Sequence, residues 1–106
     1  MQKEQIQILK VSIKRLLRRG ANKQLLNIIN KTHMADLSIV FEDLSIINQQ
    51  KLFNLLKDPE DIGILFSKLD EATCIEFVEK VEFEKLVEIF DHMPSDDAAE
   101  LLSLLD

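Results

Sequence analysis

The sequence lacks several residue types on which particular protein classes depend. Among 106 residues there are only two glycines, two prolines and one cysteine, and tryptophan and tyrosine do not occur. So few glycines and prolines leave little material for hairpin turns or phosphate-binding loops, which excludes sheet-based and P-loop enzymes. The single cysteine, Cys74, cannot form an internal disulfide or a multi-cysteine zinc site.

Targeting and membrane-spanning segments are also missing from the sequence. The start of the chain has no apolar stretch of the signal-peptide kind. Charged residues interrupt every apolar run before it reaches the roughly 20 residues that a membrane span requires. We therefore expect a cytosolic segment that does not itself insert into a membrane.

The residues that are present favour a single helical domain. Hydrophobic residues make up 46% and charged residues 30% of the chain, which is an ordinary balance for a globular protein. A chain of this length is too short for two independent cores. Because the abundance of Leu, Ile, Glu and Lys favours helix, the predicted fold class is all-α.

Charge is distributed unevenly along the chain. The formal net charge is −6, but residues 1–32 hold eight of the 13 basic residues and one acid, whereas residues 33–106 hold five basic and 18 acidic residues. We therefore divide the chain into a basic N-terminal helical arm at residues 1–31 and an acidic short-helix domain at residues 32–106. The arm has no aromatic residue for base stacking, so we expect no nucleic-acid partner. Its basic face is expected to lie against the protein's own acids or another part of a larger polypeptide, and contact with anionic lipid stays open.

Apolar residues recur at helical spacing along the whole chain. In residues 6–17 they lie three and four positions apart, which predicts a first helix that runs to about Arg19 and stops at Gly20. A unit then repeats about every 12 residues, long enough for a helix of two to three turns and a tight corner. Helices this short are marginal alone, so we expect a superhelical, α-solenoid-like array of undetermined hand with a longer basic helix at its start. The lead positions of the units are Leu25, Leu37, Leu52, Ile62, Ile75, Leu86 and Ala98.

Polar residues between these units predict where the helices begin. Proline at the first helical position, as in Asp58-Pro59, is typical of a helix start, and Pro94 is expected to end the preceding helix. Short side chains with an oxygen can accept a hydrogen bond from the first free backbone N–H groups. On this basis the predicted N-cap residues are Asn22, Thr32, Asp58, Asp70 and Ser95.

The sequence has few residues that are suited to catalysis or to zinc binding. His33 and His92 are its only histidines, and Cys74 lies one residue before a predicted core position. No nucleophile has an evident base and orienting partner, and one cysteine with two distant histidines has no recognised zinc spacing. We expect the histidines at helix ends, no catalytic residue and no enzyme activity.

Carboxylate side chains are in excess in this sequence. Asp96 and Glu100 lie four residues apart and share a helical face, with Asp97 beside them, so they are the candidate ligands for a hydrated Mg²⁺ ion. The alternative is that these acids stabilise a helix N-terminus, whose positive end would also weaken a cation site. A second acidic group is expected to be a solvated face: Glu79, Glu82, Glu84 and Glu88.

Three segments resemble the cytosolic N domain of MgtE-type magnesium transporters. They are residues 33–38 (HMADLS), 52–56 (LFNLL) and 93–102 (MPSDDAAELL), and their order and spacing are more specific than any one of them. The resemblance covers about three-quarters of the chain. Residues 16–20 (LLRRG) also resemble the lead-in of some members.

The resemblance implies a regulatory role on the cytoplasmic side of the bacterial inner membrane. In the family, this superhelical domain precedes a CBS domain pair and a transmembrane domain, in a homodimeric transporter. Mg²⁺ bound between the N and CBS domains screens repulsion between acidic surfaces and holds the channel closed. Transferred here, Asp96, Asp97 and Glu100 would complete a weak Mg²⁺ site shared with a partner domain.

Departures from the family pattern leave an alternative open. Met34 stands where the family has proline, and Glu100 replaces aspartate, which lengthens the reach of one ligand. The sequence contains no CBS or membrane segment, as expected of an excised domain or of a stand-alone relative. The alternative function is a helical solenoid that acts as a protein–protein adaptor, similar to flagellar motor-switch modules.

Overall fold

The computed structural model of the chain describes residues 2–105 and is all-helical over that range, which confirms the predicted fold class. Short turns join successive helices. Each of the seven lead positions predicted from the repeat lies in a different helix, from α2 to α8. The helices of the described range are α1 (Lys3–Arg19), α2 (Asn22–Asn30), α3 (Met34–Glu42), α4 (Ile46–Leu55), α5 (Pro59–Lys68), α6 (Glu71–Val78), α7 (Phe83–Asp91) and α8 (Ser95–Leu104).

Helix α1 has the length and end that the sequence predicts. Its buried stripe contains Ile6, Ile13 and Leu17, which face the protein core. Gly20 follows with φ 68°, a left-handed conformation that glycine adopts without a steric penalty. The Gly20 N–H donates to the carbonyl oxygens of Leu16 and Leu17, which satisfies backbone groups that the helix end would otherwise leave free.

Two of the five predicted N-caps are confirmed. The Asp58 side chain accepts a hydrogen bond from the N–H of Glu60, and that of Asp70 accepts one from the N–H of Thr73. Pro59 lies in the first turn of α5, as expected. A third capping side chain was missed, because Ser45 accepts a bond from the N–H of Asn48 at the start of α4.

The other three predicted caps were wrong. Asn22 and Ser95 are already helical, since Ala21 and Pro94 occupy the cap positions before them. Thr32 turns back and donates its hydroxyl hydrogen to the carbonyl of Ile28, 2.7 Å away, at the end of α2. A short polar side chain in a turn can form a hydrogen bond with the helix before it or with the helix after it, and Thr32 bonds to the helix before it. Helix α7 ends at Asp91, before Pro94 is reached.

Alternate helices pack against each other to form the array. Helix α1 contacts α3, α3 contacts α5, and α5 contacts α7, so the odd-numbered helices form a column. This arrangement agrees with the predicted superhelical array of short helices. The described part of the chain measures 35 × 27 × 21 Å along its principal axes, so this short array of helices is compact.

Phenylalanines fill the centre of the core. The ring of Phe77 lies 5.1 Å from that of Phe41 and 5.1 Å from that of Phe53, with both pairs edge to face. Phe66 is the fourth ring of the cluster, 6.2 Å from Phe77. Edge-to-face contacts add to the stabilisation that comes from burial of the rings.

The basic arm shares this core. Ile13 and Leu17 of α1 and Leu25 of α2 are buried in the same cluster as the helices that follow. The division at residues 1–31 and 32–106 stays a prediction, and its outer ends, Met1 and Asp106, lie outside the described residues. Within residues 2–105, no helix combines the length and the apolar character that a membrane span needs.

Candidate functional site

The predicted ligands lie at the beginning of α8. Helix α8 starts at Ser95, and its first turn carries Asp96 and Asp97. Asp96 and Glu100 are exposed, whereas Asp97 is half-buried. Within residues 2–105, no lysine or arginine forms a salt bridge with any of the three. Their charge is therefore available to an ion or to a second surface.

A small cavity between α5, α6 and α8 brings two of the three acids together. Asp97 and Glu100 line this cavity of about 70 Å³, and Asp96 does not. Spacing alone favoured Asp96 and Glu100, four residues apart, as the pair that shares a face. Residues three apart on a helix are also neighbours, and Asp97 and Glu100 are the pair on the side of α8 that lines the cavity with residues of α5 and α6.

A third carboxylate was missed by the sequence argument. Glu71, in the first turn of α6, lines the same cavity, as does Ser67 of α5. The only sequence signal for Glu71 is its position after the Asp70 cap, which is where acids commonly stabilise a helix N-terminus. No basic residue is among those that line the cavity.

The carboxylate oxygens at this cavity are suitable ligands for a hard divalent cation, but they form only part of a coordination site. Carboxylate oxygens are the ligands that Mg²⁺ prefers, usually one or two with several retained waters. Nowhere in the described range do three or more His, Cys, Asp or Glu side chains come close enough to hold a metal ion together. Residues such as Asp97 and Glu100 therefore fit Mg²⁺ if water or another surface provides the remaining ligands.

Cys74 also lies at this cavity, but its thiol is not a ready ligand. The sequence placed it one residue before a core position, whereas the structure buries Cys74 itself and leaves Ile75 half-buried. Burial, and secondarily the negative charge of Asp70, raise the pKa of Cys74 to about 11. The thiol therefore stays protonated at neutral pH, and only the thiolate is a strong nucleophile or metal ligand.

Both histidines lie at helix ends, as predicted. His33 is the N-cap residue of α3 and lines a cavity of about 720 Å³ between α2 and α5. His92 is the C-cap residue of α7, and its Nδ1 lies 2.9 Å from the carbonyl oxygen of Glu88. The second acidic group is a solvated face, as expected, because all four of its members are exposed: Glu79, Glu82, Glu84 and Glu88.

The basic arm contacts the acids of its own chain at one point. Lys14 donates a hydrogen bond to Asp43 across 2.8 Å, which joins α1 to the end of α3. This bond, together with the positive charges of Lys14 and Lys10, lowers the pKa of Asp43. The expectation that the arm lies against the protein's own acids is confirmed for Lys14.

Comparison with known protein families finds a match for most of the chain. The MgtE intracellular N domain matches residues 32–106, well over half of the chain, and leaves α1 and α2 outside the match. The comparison with curated proteins found no match, and neither did the comparison with solved structures. The chain therefore belongs to the family of MgtE intracellular N domains, which are cytosolic parts of magnesium transporters.

Proposed function

We propose that the chain is the regulatory domain of a magnesium transporter and contributes carboxylates to an interdomain Mg²⁺-sensing site that controls gating. The ligands are Asp96, Asp97 and Glu100, and Glu71 adds charge beside them. The observation that carries the proposal is the combination of exposed or half-exposed acids on α8 with a cavity that no basic residue lines.

The physical basis is repulsion between surfaces of like charge. Residues 33–106 carry 18 acidic and five basic residues, so this body has a net charge of −13. Another acidic surface can approach it closely only when cations neutralise part of the charge, since unscreened like charges repel strongly at short range. Mg²⁺ between the surfaces supplies that neutralisation, and its loss lets them separate.

The second surface in this proposal is the CBS domain pair of the same homodimeric transporter. The α8 carboxylates orient hydrated Mg²⁺ towards that partner, and the partner's oxygens complete the coordination. A ligand shifts a conformational equilibrium only by its different affinity for the two states. A shared site satisfies this condition because the ion binds strongly only when the domains are docked.

Magnesium titration of the chain, followed by backbone amide shifts in NMR spectra, tests the first half of the proposal. We expect shifts concentrated at residues 95–101 and no saturation below about 1 mM, since few protein ligands are present. The variant D96N/D97N/E100Q should lose these shifts. The matched control, E76Q/E79Q/E82Q, removes three exposed acids elsewhere and should keep them. Tight saturation would mean that the chain holds a complete site, and uniform shifts would mean non-specific screening.

Magnesium flux through the transporter that carries this domain tests the second half. In reconstituted vesicles, magnesium on the cytosolic side should close the wild-type channel and the control variant. The D96N/D97N/E100Q variant should continue to conduct under the same conditions. Unchanged closure in this variant would contradict the gating role and favour the adaptor function.

A further inference from the structure

The column of odd-numbered helices has two uncovered ends. Helices α3 and α5 each pack between two odd-numbered neighbours, whereas α1 packs extensively only on α3 and α7 only on α5 among the odd-numbered helices. Helical arrays normally end in a polar outer face, because an uncapped end exposes the surface that stacks in the interior. The outer faces of α1 and α7 depart from this rule.

The outer face of α1 combines aliphatic and basic side chains. Ile8 is 66% exposed and Val11 is 46% exposed, three residues apart on the side opposite the buried stripe. Arg15 and Arg18 continue the same line at spacings of four and three, and Arg19 lies beside them; all three are exposed. We call these five residues the basic face.

The outer face of α7 has the opposite charge. Phe83 is 75% exposed and Val87 is 42% exposed, four residues apart. Glu84 and Glu88 lie next to them at the same spacing, and Asp91 follows Val87 by one turn; all three acids are exposed. We call these five residues the acidic face. Within residues 2–105, neither face has a salt-bridge partner.

We propose that the basic face of one copy of the chain binds the acidic face of another copy. Each face offers two apolar side chains and three charges, so the contact buries Ile8 and Val11 against Phe83 and Val87 while arginines meet carboxylates. An anionic bilayer could cover the basic face, but it would repel the acidic face and leave Phe83 exposed. A second copy accounts for both faces with one contact.

The geometry of the contact decides the kind of assembly. Because the two faces lie at opposite ends of the column, each contact leaves one basic and one acidic face free. Such head-to-tail contacts extend the array into a chain of copies, or close a ring where the rotation permits. One helix on one helix is a small interface, so we expect association on the order of 100 µM or weaker, and weaker still at high salt.

Charge reversal tests the pairing. Sedimentation equilibrium of the 106-residue chain, in EDTA and at low salt, should show concentration-dependent association up to about 1 mM. R15E/R18E, which makes the basic face acidic, and E84K/E88K, which makes the acidic face basic, should each remain monomeric. An equimolar mixture of the two variants should associate again, because it restores complementary faces.

A matched control separates pairing from bulk charge. E76K/E79K on and after α6 makes the same change in net charge as E84K/E88K and should associate like the wild type. A monomeric wild type, a mixture that stays monomeric, or a control that dissociates would each overturn the proposal. If the wild type did not associate but bound phosphatidylglycerol vesicles, and R15E/R18E did not bind them, the basic face would be assigned to lipid instead. Since EDTA removes magnesium, none of these results bears on the sensing site.

Discussion

The ammonium nitrogen of Lys14 lies 2.8 Å from a carboxylate oxygen of Asp43, and this ion pair joins the basic helix α1 to the acidic part of the chain. The two residues are 29 positions apart, so the contact depends on the packing of α1 against α3. Both side chains remain partly exposed, at 41% and 48%, which limits the energy of the pair.

The first prediction concerns the titration of Asp43. The hydrogen bond from Lys14 is the largest cause of its lowered pKa, so K14Q should raise that pKa towards the ordinary value of 3.8. A carboxyl group with a lowered folded-state pKa stabilises the fold above its unfolded pKa and loses that contribution as the pH falls through the folded pKa. The stability difference between wild type and K14Q should therefore shrink as the pH drops below 3.8.

Carboxyl carbon shifts of Asp43 across an acid titration measure this effect directly. The control is K80Q, which removes an exposed lysine from the turn after α6 and should leave Asp43 unchanged. If K14Q also left the Asp43 titration unchanged, the ion pair would not exist in solution.

The second prediction concerns the reactivity of Cys74. A rise in its pKa from 9.0 to about 11 lowers the thiolate fraction near pH 8 by about 100-fold. A disulfide reagent should therefore label the native chain at least about 100-fold more slowly than the urea-unfolded chain. Because the folded state prefers the protonated thiol, stability should also fall as the pH rises from 9.0 towards 11. Equal labelling rates in both states would show that the thiol is accessible.

The third prediction separates a residue that caps a helix from one that only resembles a cap. D70A removes the acceptor for the Thr73 N–H and should lower the free energy of unfolding by about 1 kcal/mol. S95A removes a hydroxyl that caps nothing, so the change should stay within about 0.5 kcal/mol. Urea unfolding of both variants provides the comparison. A cost for S95A as large as that for D70A would contradict the assignment of Pro94 as the cap.

The fourth prediction concerns the contact between Gly63 and Met93. A Cβ atom at position 63 would lie 2.6 Å from Cγ of Met93, so the G63A variant overpacks this point and should destabilise the fold by about 1 kcal/mol. Alanine is also the better helix former by about 1 kcal/mol. In an M93A background, where the clash is absent, G63A should therefore be stabilising.

A double-mutant cycle from denaturant unfolding measures this reversal of sign. If G63A were stabilising in the wild type as well, the Met93 side chain would move aside without cost and α5 would not pack tightly against it.

Local spacing was enough to locate the helices and most of their buried stripes. The exception is α6, where Cys74 is buried and the expected core residue Ile75 is only half-buried. The repeat predicted one helix for each lead position, because apolar residues three and four positions apart lie on one face of a helix, regardless of what packs against that helix. Caps were less predictable, since Thr32 could serve the helix before it or the helix after it. The choice between those two bonds depends on the path of the turn.

The candidate site shows the same division between sequence and tertiary structure. The sequence by itself determined that carboxylates crowd the start of α8 and that the acidic part of the chain carries a large negative charge. Only the tertiary structure decided that Asp97, Glu100 and Glu71 line one cavity while Asp96 faces solvent. The physical reason is that spacing along a helix relates only the residues of that helix to one another. A cavity depends on how helices that are distant in sequence cross. The crossing of the helices is decided by the packing of their buried side chains.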